Sequence, residues 1–270
     1  MLLVVIPGFG PPHLPEKINI LRRNLETLQL QTKNAITVHI FCYGNMNDIP
    51  QDLCGALATV TWHFEKGIIG YFLHKYVTPE FVNNINPSEV MILLDDVELD
   101  ASLSIPEARG FINRYQLDLV SPSLSKREMT YWEFMIPQPK EVFARIMPVI
   151  ELFCYIFTKE AYISKYYKHI DPNNPWMWGM DFILQSRFGI RGALLNNTLM
   201  HHHFSGACYT KELNDPRTDS DKYLQKYGTS WAEINAKGVV VPQDNIIYCR
   251  SMHPHLPSGA SSELGFGGKV

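Results

Sequence analysis

Residues 89–100 read Glu-Val-Met-Ile-Leu-Leu-Asp-Asp-Val-Glu-Leu-Asp: an unbroken apolar run, Val90 to Leu94, and then Asp95, Asp96, Glu98 and Asp100. Carboxylates this close repel one another unless a positive charge lies among them, and a divalent cation with oxygen ligands is the usual solution. The apolar run fits a buried strand. Acids at the carboxyl end of such a strand stand where open α/β sheets bind ligands. Asp96 and Glu98 are therefore candidate ligands for Mn²⁺ or Mg²⁺, Asp95 can accept a ribose hydroxyl, and Asp100 reads as a solvated turn residue. The plain alternative is a strand ending in a solvated acidic turn.

Two later stretches carry complementary chemistry. Trp176-Met177-Trp178-Gly179-Met180-Asp181 places a carboxylate directly after an aromatic, glycine-containing loop. Aromatic surroundings lower local polarity and raise a carboxyl pKa, which makes Asp181 a candidate general base, and the indoles of Trp176 and Trp178 can stack on a sugar ring. Asp181 could equally cap the helix that follows. Leu199-Met200-His201-His202-His203 ends an apolar run in three imidazoles. On a strand His201 and His203 share one face, and either could join Asp96 or Glu98 at a metal. A weaker signal is Pro7-Gly8-Phe9-Gly10, a glycine turn after a first strand that would let a ligand approach the backbone. It is neither a dinucleotide fingerprint nor a phosphate-cradling Gly-Lys-Ser/Thr loop. Lys66, Lys75, Arg22 and Arg23 could neutralise phosphate or simply be surface charge. No Gly-x-Ser-x-Gly element accompanies Ser121 or Ser123, which argues against a serine hydrolase.

The elements that must position these residues alternate. Strands are expected at 2–6, 36–42, 57–64, 89–94, 117–124, 151–158 and 193–201, and helices at 16–31, 68–77, 105–116, 159–167, 180–188 and 215–227. Residues 83–88 read as a turn-rich gap and 126–148 as an irregular, aromatic-rich stretch, either an insertion or a hairpin that lines the cleft. This βα alternation predicts one α/β domain over residues 1–250, with a central mixed, mostly parallel sheet. The Gly, Ser and Pro of 251–270 predict a loose tail or an arm packed on the surface.

Composition narrows the field. The 270 residues have a formal net charge of −3, so no basic field for nucleic acid is evident. Five cysteines, with no Cys-x-x-Cys pair, fit buried thiols in a reducing compartment. The first six residues are apolar but too short for a signal or a membrane span, and no later run reaches that length. A cytoplasmic protein is expected.

The order of motifs resembles the nucleotide-diphospho-sugar transferase fold called GT-A. Leu93-Leu94-Asp95-Asp96-Val97-Glu98 resembles its Asp-x-Asp element, with Glu98 in place of the second Asp. Residues 176–181 resemble the Trp-Gly-Trp-Gly-x-Glu-Asp region of inverting galactosyltransferases, and the late His resembles their metal-binding His. The pieces at 72–79, 91–98, 119–124, 153–162, 178–181 and 200–201 are also similar to a family of plant and microbial proteins. The likeness spans roughly residues 72–203.

This resemblance implies a metal-dependent glycosyltransferase with a nucleotide-sugar donor, UDP-linked as the first candidate, and a glycan or other hydroxyl acceptor. Pro7, Gly8, Phe9, Gly10 and Tyr43 would cover the nucleotide, with Lys66 and Lys75 as further donor contacts. Asp95 would meet the ribose. Asp96 or Glu98, with His201 or His203, would hold the ion. Asp181 would act as base in an inverting displacement. The rival from another class is a carbohydrate- or nucleotide-sugar-binding protein on the same fold without turnover. A metal phosphoesterase or nuclease ranks behind both.

Overall fold

The computed structural model describes residues 1–33, 35–50, 52–53, 60–125, 133–137, 140–203 and 216–248. A ten-stranded sheet forms its centre, in the order β10-β7-β9-β6-β8-β4-β1-β2-β3, with β5 paired to β9 off this path. The strands are β1 (Leu2–Phe9), β2 (Ile36–Cys42), β3 (Val60–Phe64), β4 (Glu89–Leu93), β5 (Val97–Leu99), β6 (Leu119–Leu124), β7 (Val142–Met147), β8 (Cys154–Thr158), β9 (Gly192–His202) and β10 (Ile246–Tyr248). Pairings run parallel through β3-β2-β1-β4 and between β6 and β9; those of β5, β7 and β8 to their neighbours are antiparallel. Most strands therefore point one way, and the carboxyl ends of β1, β2, β4, β6 and β9 share one edge.

Eight helices are used below: α1 (Leu14–Thr32), α2 (Ile69–Tyr76), α3 (Pro79–Ile85), α4 (Ile105–Tyr115), α5 (the turns from Lys159 to His169), α6 (Met180–Phe188), α7 (Pro216–Lys226) and α8 (Trp231–Lys237). β4 is buried at every position, as its unbroken apolar run demands of a strand covered on both faces. α1 packs Ile18, Leu21, Leu25 and Leu28 against the sheet, yet Lys17 and Asn24 are buried on the same helix. α4 begins where Ser104 accepts the Glu107 N–H, an N-cap with proline just inside the helix. Among the described residues no helix is long and apolar enough to cross a membrane.

Several expectations need correction. β1 does not stop at Ile6: it continues through Pro7, Gly8 and Phe9, so only Gly10 lies beyond the strand. Gly8, at φ 87°, absorbs the register shift against β2 that would otherwise end the strand at proline. Of the gap at 83–88, residues 83–85 are helix and 86–88 are not. Thr78 caps α3 by accepting the Phe81 N–H, Pro79 opens it, and Asn86 closes it in the left-handed region. Within 126–148, residues 142–147 form β7, whose side chains are mostly buried; 126–132 and 138–139 lie outside the described residues. α8 and β10 have no counterpart in the sequence expectation. Cys42 and Cys154 are buried, while Cys54, Cys208, Cys249 and the 251–270 tail lie outside the described residues.

Asn24 fastens α1 to the acidic segment. Its Nδ2 donates to Val97 O at 2.8 Å and its Oδ1 accepts the Leu99 N–H at 2.7 Å, so one amide completes the free edge of β5. Asn24 is 2% exposed, and its removal leaves two buried backbone groups unpaired. Asn24→Ala is expected to lower the unfolding free energy by about 2–4 kcal/mol, measured by urea denaturation. A loss below ~0.5 kcal/mol would show that water replaces the amide.

Candidate active site

The acids and the histidines meet, and they do so as paired strands. β5 runs antiparallel to the end of β9, with Val97 opposite His202, Glu98 opposite His201 and Leu99 opposite Met200. The ladder continues outward through His203 N–H to Asp96 O at 3.0 Å and Asp100 N–H to Leu199 O at 3.1 Å. Each imidazole then finds a different acid. His202 Nε2 lies 3.2 Å from Asp96 Oδ2, His203 Nε2 lies 2.6 Å from Glu98 Oε2, and His201 Nε2 lies 3.5 Å from Asp100 Oδ2. The other ring nitrogen of His201 meets the hydroxyl of Ser125, just beyond β6.

The expected metal ligands are therefore held unequally. Glu98 receives a two-pronged ion pair from Arg23 on α1, at 2.6 and 2.9 Å, in addition to His203. Burial pushes its carboxyl up, but the Arg23 hydrogen bond and His203 outweigh that and hold it below the usual range. Asp96 differs: its Oδ1 is sealed from solvent without a hydrogen-bond partner. The histidine beside it is His202, not His201 or His203. The His202 ring packs on Phe153, centroids 4.7 Å apart, which fixes its orientation. Among the described residues no group of three His, Cys, Asp or Glu side chains is arranged to hold a metal. A carboxylate oxygen and an imidazole nitrogen, beside one orphaned carboxylate oxygen, nevertheless suit a divalent ion that takes its remaining ligands from phosphate and water.

Asp95 is half-buried just past the end of β4. Lys17 of α1 reaches its Oδ2 at 2.7 Å and also donates to Gly10 O at 2.9 Å, and Gly10 N–H approaches the same Oδ2 at 3.3 Å. Burial, then the charge of Asp96, push the Asp95 carboxyl up to about 7 against the pull of Lys17. The pair thus ties the end of β1 to the end of β4. Tyr43 completes this corner: its hydroxyl donates to Pro11 O, and its ring lies 2.8 Å from where a β-carbon on Gly10 would stand. Lys66 is exposed just past β3, whereas Lys75 is engaged by Glu65 at 2.5 Å with the hydroxyls of Tyr71 and Tyr76 nearby. Arg22 pairs with Asp52 at 2.7 Å.

Asp181 sits in the first turn of α6, which is entered from Gly179 at φ 85° with no side-chain cap. The topology puts this end of α6 at the same sheet edge, because α6 leads back to the amino end of β9. The preceding loop is pinned there by Gly70 N–H, at the start of α2, donating to Pro175 O at 2.7 Å. A β-carbon on Gly70 would stand 3.0 Å from two loop carbonyls, so the close approach requires glycine. Trp176 and Trp178 are half-buried on this loop. Asp181 as a residue is part-exposed, yet its Oδ1 is sealed and has no hydrogen-bond partner. Burial pushes its carboxyl up to about 7 although the backbone N–H groups of the turn pull it down. Its neighbours include the buried phenols of Tyr155 and Tyr166, which burial first and the Asp181 charge second raise.

Sequence reasoning missed Lys17, Asn24 and His202. The signal for the first two was available: polar residues seven apart on an otherwise apolar helical stripe. His202 was passed over because period-two reasoning grouped its neighbours instead.

No family model matches this sequence, and no curated protein matches it. Solved structures do. The fold is shared with GalNAc-T7, crystallised with UDP, GalNAc and Mn²⁺, at TM-score 0.55 and 11% identity over 87% of this chain and 49% of that one. It is shared likewise with residues 1–349 of TarS from S. aureus in complex with UDP-GlcNAc, at TM-score 0.51 and 11% identity over 83% of this chain and 64% of that one. The UDP complex of the same TarS fragment gives TM-score 0.50 and 11% identity over 90% and 76%. This chain thus spans about half the length of GalNAc-T7 and under two thirds of the TarS fragment bound to UDP-GlcNAc. These neighbours are glycosyltransferases of the GT-A fold, and the α/β architecture described above is that fold.

Proposed function

We propose that this protein is a glycosyltransferase that moves a sugar from a UDP-linked donor to a hydroxyl of a glycan or related acceptor, with Mn²⁺ or Mg²⁺ as cofactor, and that it inverts the anomeric centre. The observation that carries the reading is Asp181: a carboxylate raised to about 7, with one unpartnered oxygen, at the sheet edge where the acid–histidine ladder ends. A base with a pKa near the working pH combines enough ionised form with enough proton affinity.

The residues take these roles. The Phe9–Gly10 corner under Tyr43, with Pro7 and Gly8 leading into it, receives the nucleotide, and Asp95 faces the ribose. Lys66 is available to a phosphate; Lys75 would first have to leave Glu65. Asp96 with His202 would hold the cation, Glu98 and His203 flanking it, and His201 is oriented by Ser125. When bound, the ion supplies Lewis-acid stabilisation of charge on the departing diphosphate. Trp176 and Trp178 border the transferred sugar or the acceptor. Asp181 takes the proton from the acceptor hydroxyl, whose oxygen forms the new bond to the anomeric carbon as the bond to the diphosphate breaks. UDP leaves with the electron pair, and the sugar is inverted.

One observation favours the rival reading, a non-catalytic sugar- or nucleotide-sugar-binding protein: Glu98 already has its counter-charges in Arg23 and His203. Donor turnover separates the two. With a panel of UDP-sugars and Mn²⁺, release of UDP is expected, to be abolished by EDTA and restored by added Mn²⁺. Binding of a UDP-sugar with no UDP release under any condition would favour the rival.

Two outcomes are expected for Asp181→Asn. Transfer should fall about 10²–10⁴-fold while UDP-sugar affinity, by calorimetry, stays within about twofold. Unchanged turnover would remove Asp181 as the base. Stability supplies the second. A carboxyl raised to about 7 keeps a proton in the folded state that the unfolded chain releases from about pH 4, so its ionisation costs the native state stability as pH rises from about 4 to about 7. Asn cannot ionise. Relative to the parent, the variant should gain on the order of 1–4 kcal/mol between pH 4.5 and 7.5 in urea titrations.

A further inference from the structure

The loop that leads to Asp181 contains one buried side chain whose hydrogen bond falls on the peptide beside the candidate base. Asn174 is 1% exposed. Its N–H donates to Asp171 O and its carbonyl accepts the Met177 N–H, both at 2.9 Å, so its backbone is fixed on both sides. Two elements outside the loop anchor it further: Gly70 N–H of α2 donates to Pro175 O, and Lys226 of α7 meets Asp171 Oδ2 at 3.1 Å. Between these anchors Met177 is buried yet stands at φ 61°, in the left-handed region that is costly for a residue with a long side chain. Such a conformation persists where the surroundings impose it.

With its backbone so placed, Asn174 turns its side-chain amide onto the next turn: Nδ2 donates to Trp178 O at 2.9 Å. That carbonyl belongs to the Trp178–Gly179 peptide, which is trans. A trans peptide is rigid and carries its C=O and N–H on opposite sides, so a donor that holds the oxygen also aims the hydrogen. The hydrogen is that of Gly179. Burial pushes the Asp181 carboxyl up, and the N–H of Gly179 is one of three backbone donors, with those of Asp181 and Phe182, that pull it down. Glycine leaves such a plane freest to turn, and α6 begins here with no side-chain cap. The Asn174 amide supplies the restraint that the glycine lacks.

We infer that Asn174 is a positioning residue for the candidate base: its amide fixes the Trp178–Gly179 peptide so that the Gly179 N–H is presented to the Asp181 carboxylate. For its part in turnover the inference rests on the transferase reading above; the coupling itself rests on the hydrogen bonds of the loop. Sealed in that loop, Asn174 acts through the peptide rather than on substrate. With the amide gone the plane can rotate, the carboxylate loses a donor that favours its charged form, and the base ionises only at higher pH. Among the described residues, the titratable groups that feel the Asp181 charge are the phenols of Tyr155 on β8 and Tyr166 on α5. Burial first, and that charge second, raise both, so neither ionises where Asp181 does.

The test compares the parent with Asn174→Leu and Asn174→Ala. Leucine is close to asparagine in shape and also removes the unpartnered Asn174 Oδ1, which favours folding. The Asp181 carboxyl is titrated by ¹³C NMR, its signal assigned by loss in Asp181→Asn, and UDP release is followed across the range from about pH 6 to about pH 9 with Mg²⁺ and the UDP-sugar that the parent turns over. Both variants are expected to raise the titration midpoint by about one pH unit and to cut turnover about tenfold at the acid end, with recovery to within about twofold of the parent at the alkaline end. In the parent, the Asn174 side-chain amide should shift with the same midpoint as Asp181, a measurement that needs no variant to fold. An unmoved midpoint in the variants, a loss of turnover that is equal at every pH, or an Asn174 amide indifferent to Asp181 overturns the positioning role. A midpoint that moves in a protein that turns over no UDP-sugar overturns the part in turnover through failure of the transferase reading itself.

Discussion

Four carboxylates within six positions cannot lie together at a sheet edge unless each is given a counter-charge or a donor, and the architecture around β4 meets that demand residue by residue. Asp95 has Lys17, Asp96 has His202, Glu98 has Arg23 and His203, and Asp100 has the Ser102 N–H with His201 beyond it. The basic side chains among these partners come from only two places, α1 and the end of β9 with the residue that follows it. Both are held by backbone or backbone-like pairing: β9 through its antiparallel ladder with β5, α1 through the Asn24 amide. The electrostatics and the fold are one problem here. An edge that failed to bring α1 and β9 together would leave buried charge uncompensated, which costs far more than exposed charge.

Within that arrangement the carboxylates have become chemically distinct. Glu98 is neutralised from two sides and serves the framework. Asp95 is paired with a lysine that also grips the end of β1. Asp96 keeps one oxygen unclaimed, as does Asp181 across the edge. Unclaimed oxygens in sealed positions are uncommon in folded proteins, where nearly all buried polar groups are paired. Their appearance at a strand's carboxyl end and beside the Trp176–Trp178 loop sets Asp96 and Asp181 apart from the fully paired acids around them.

Much of this was legible in the sequence because the signals were local. The apolar run of β4, the Ser104 cap and Pro106 of α4, the alternation of β2 and the limits of α6 are set by neighbouring residues, and the structure places those elements where they are expected. The meeting of acids and histidines was legible as chemistry. Which acid meets which histidine was not, because that depends on the β5–β9 register, a tertiary fact. Lys17 and Asn24 were hidden for a related reason: on a helix they look like ordinary polar residues until the element packed against them is known. The extension of β1 past Pro7 turned on one bulge at Gly8, and β7 lay in a stretch without clear period.

The distances along the chain between the paired groups have a consequence for synthesis. His202 follows Asp96 by 106 residues, and Arg23 precedes Glu98 by 75. As the chain emerges from the ribosome, α1 can meet the acidic segment early, whereas the histidines arrive only when β9 has been made, after the helices and strands between them. Of the basic side chains that pair these acids, Lys17 and Arg23 are therefore made first and the histidines last. Loop closure over such separations is slow. The α1 contacts, local in time if not in sequence, are the ones the acids can form before the last strand of the site is made.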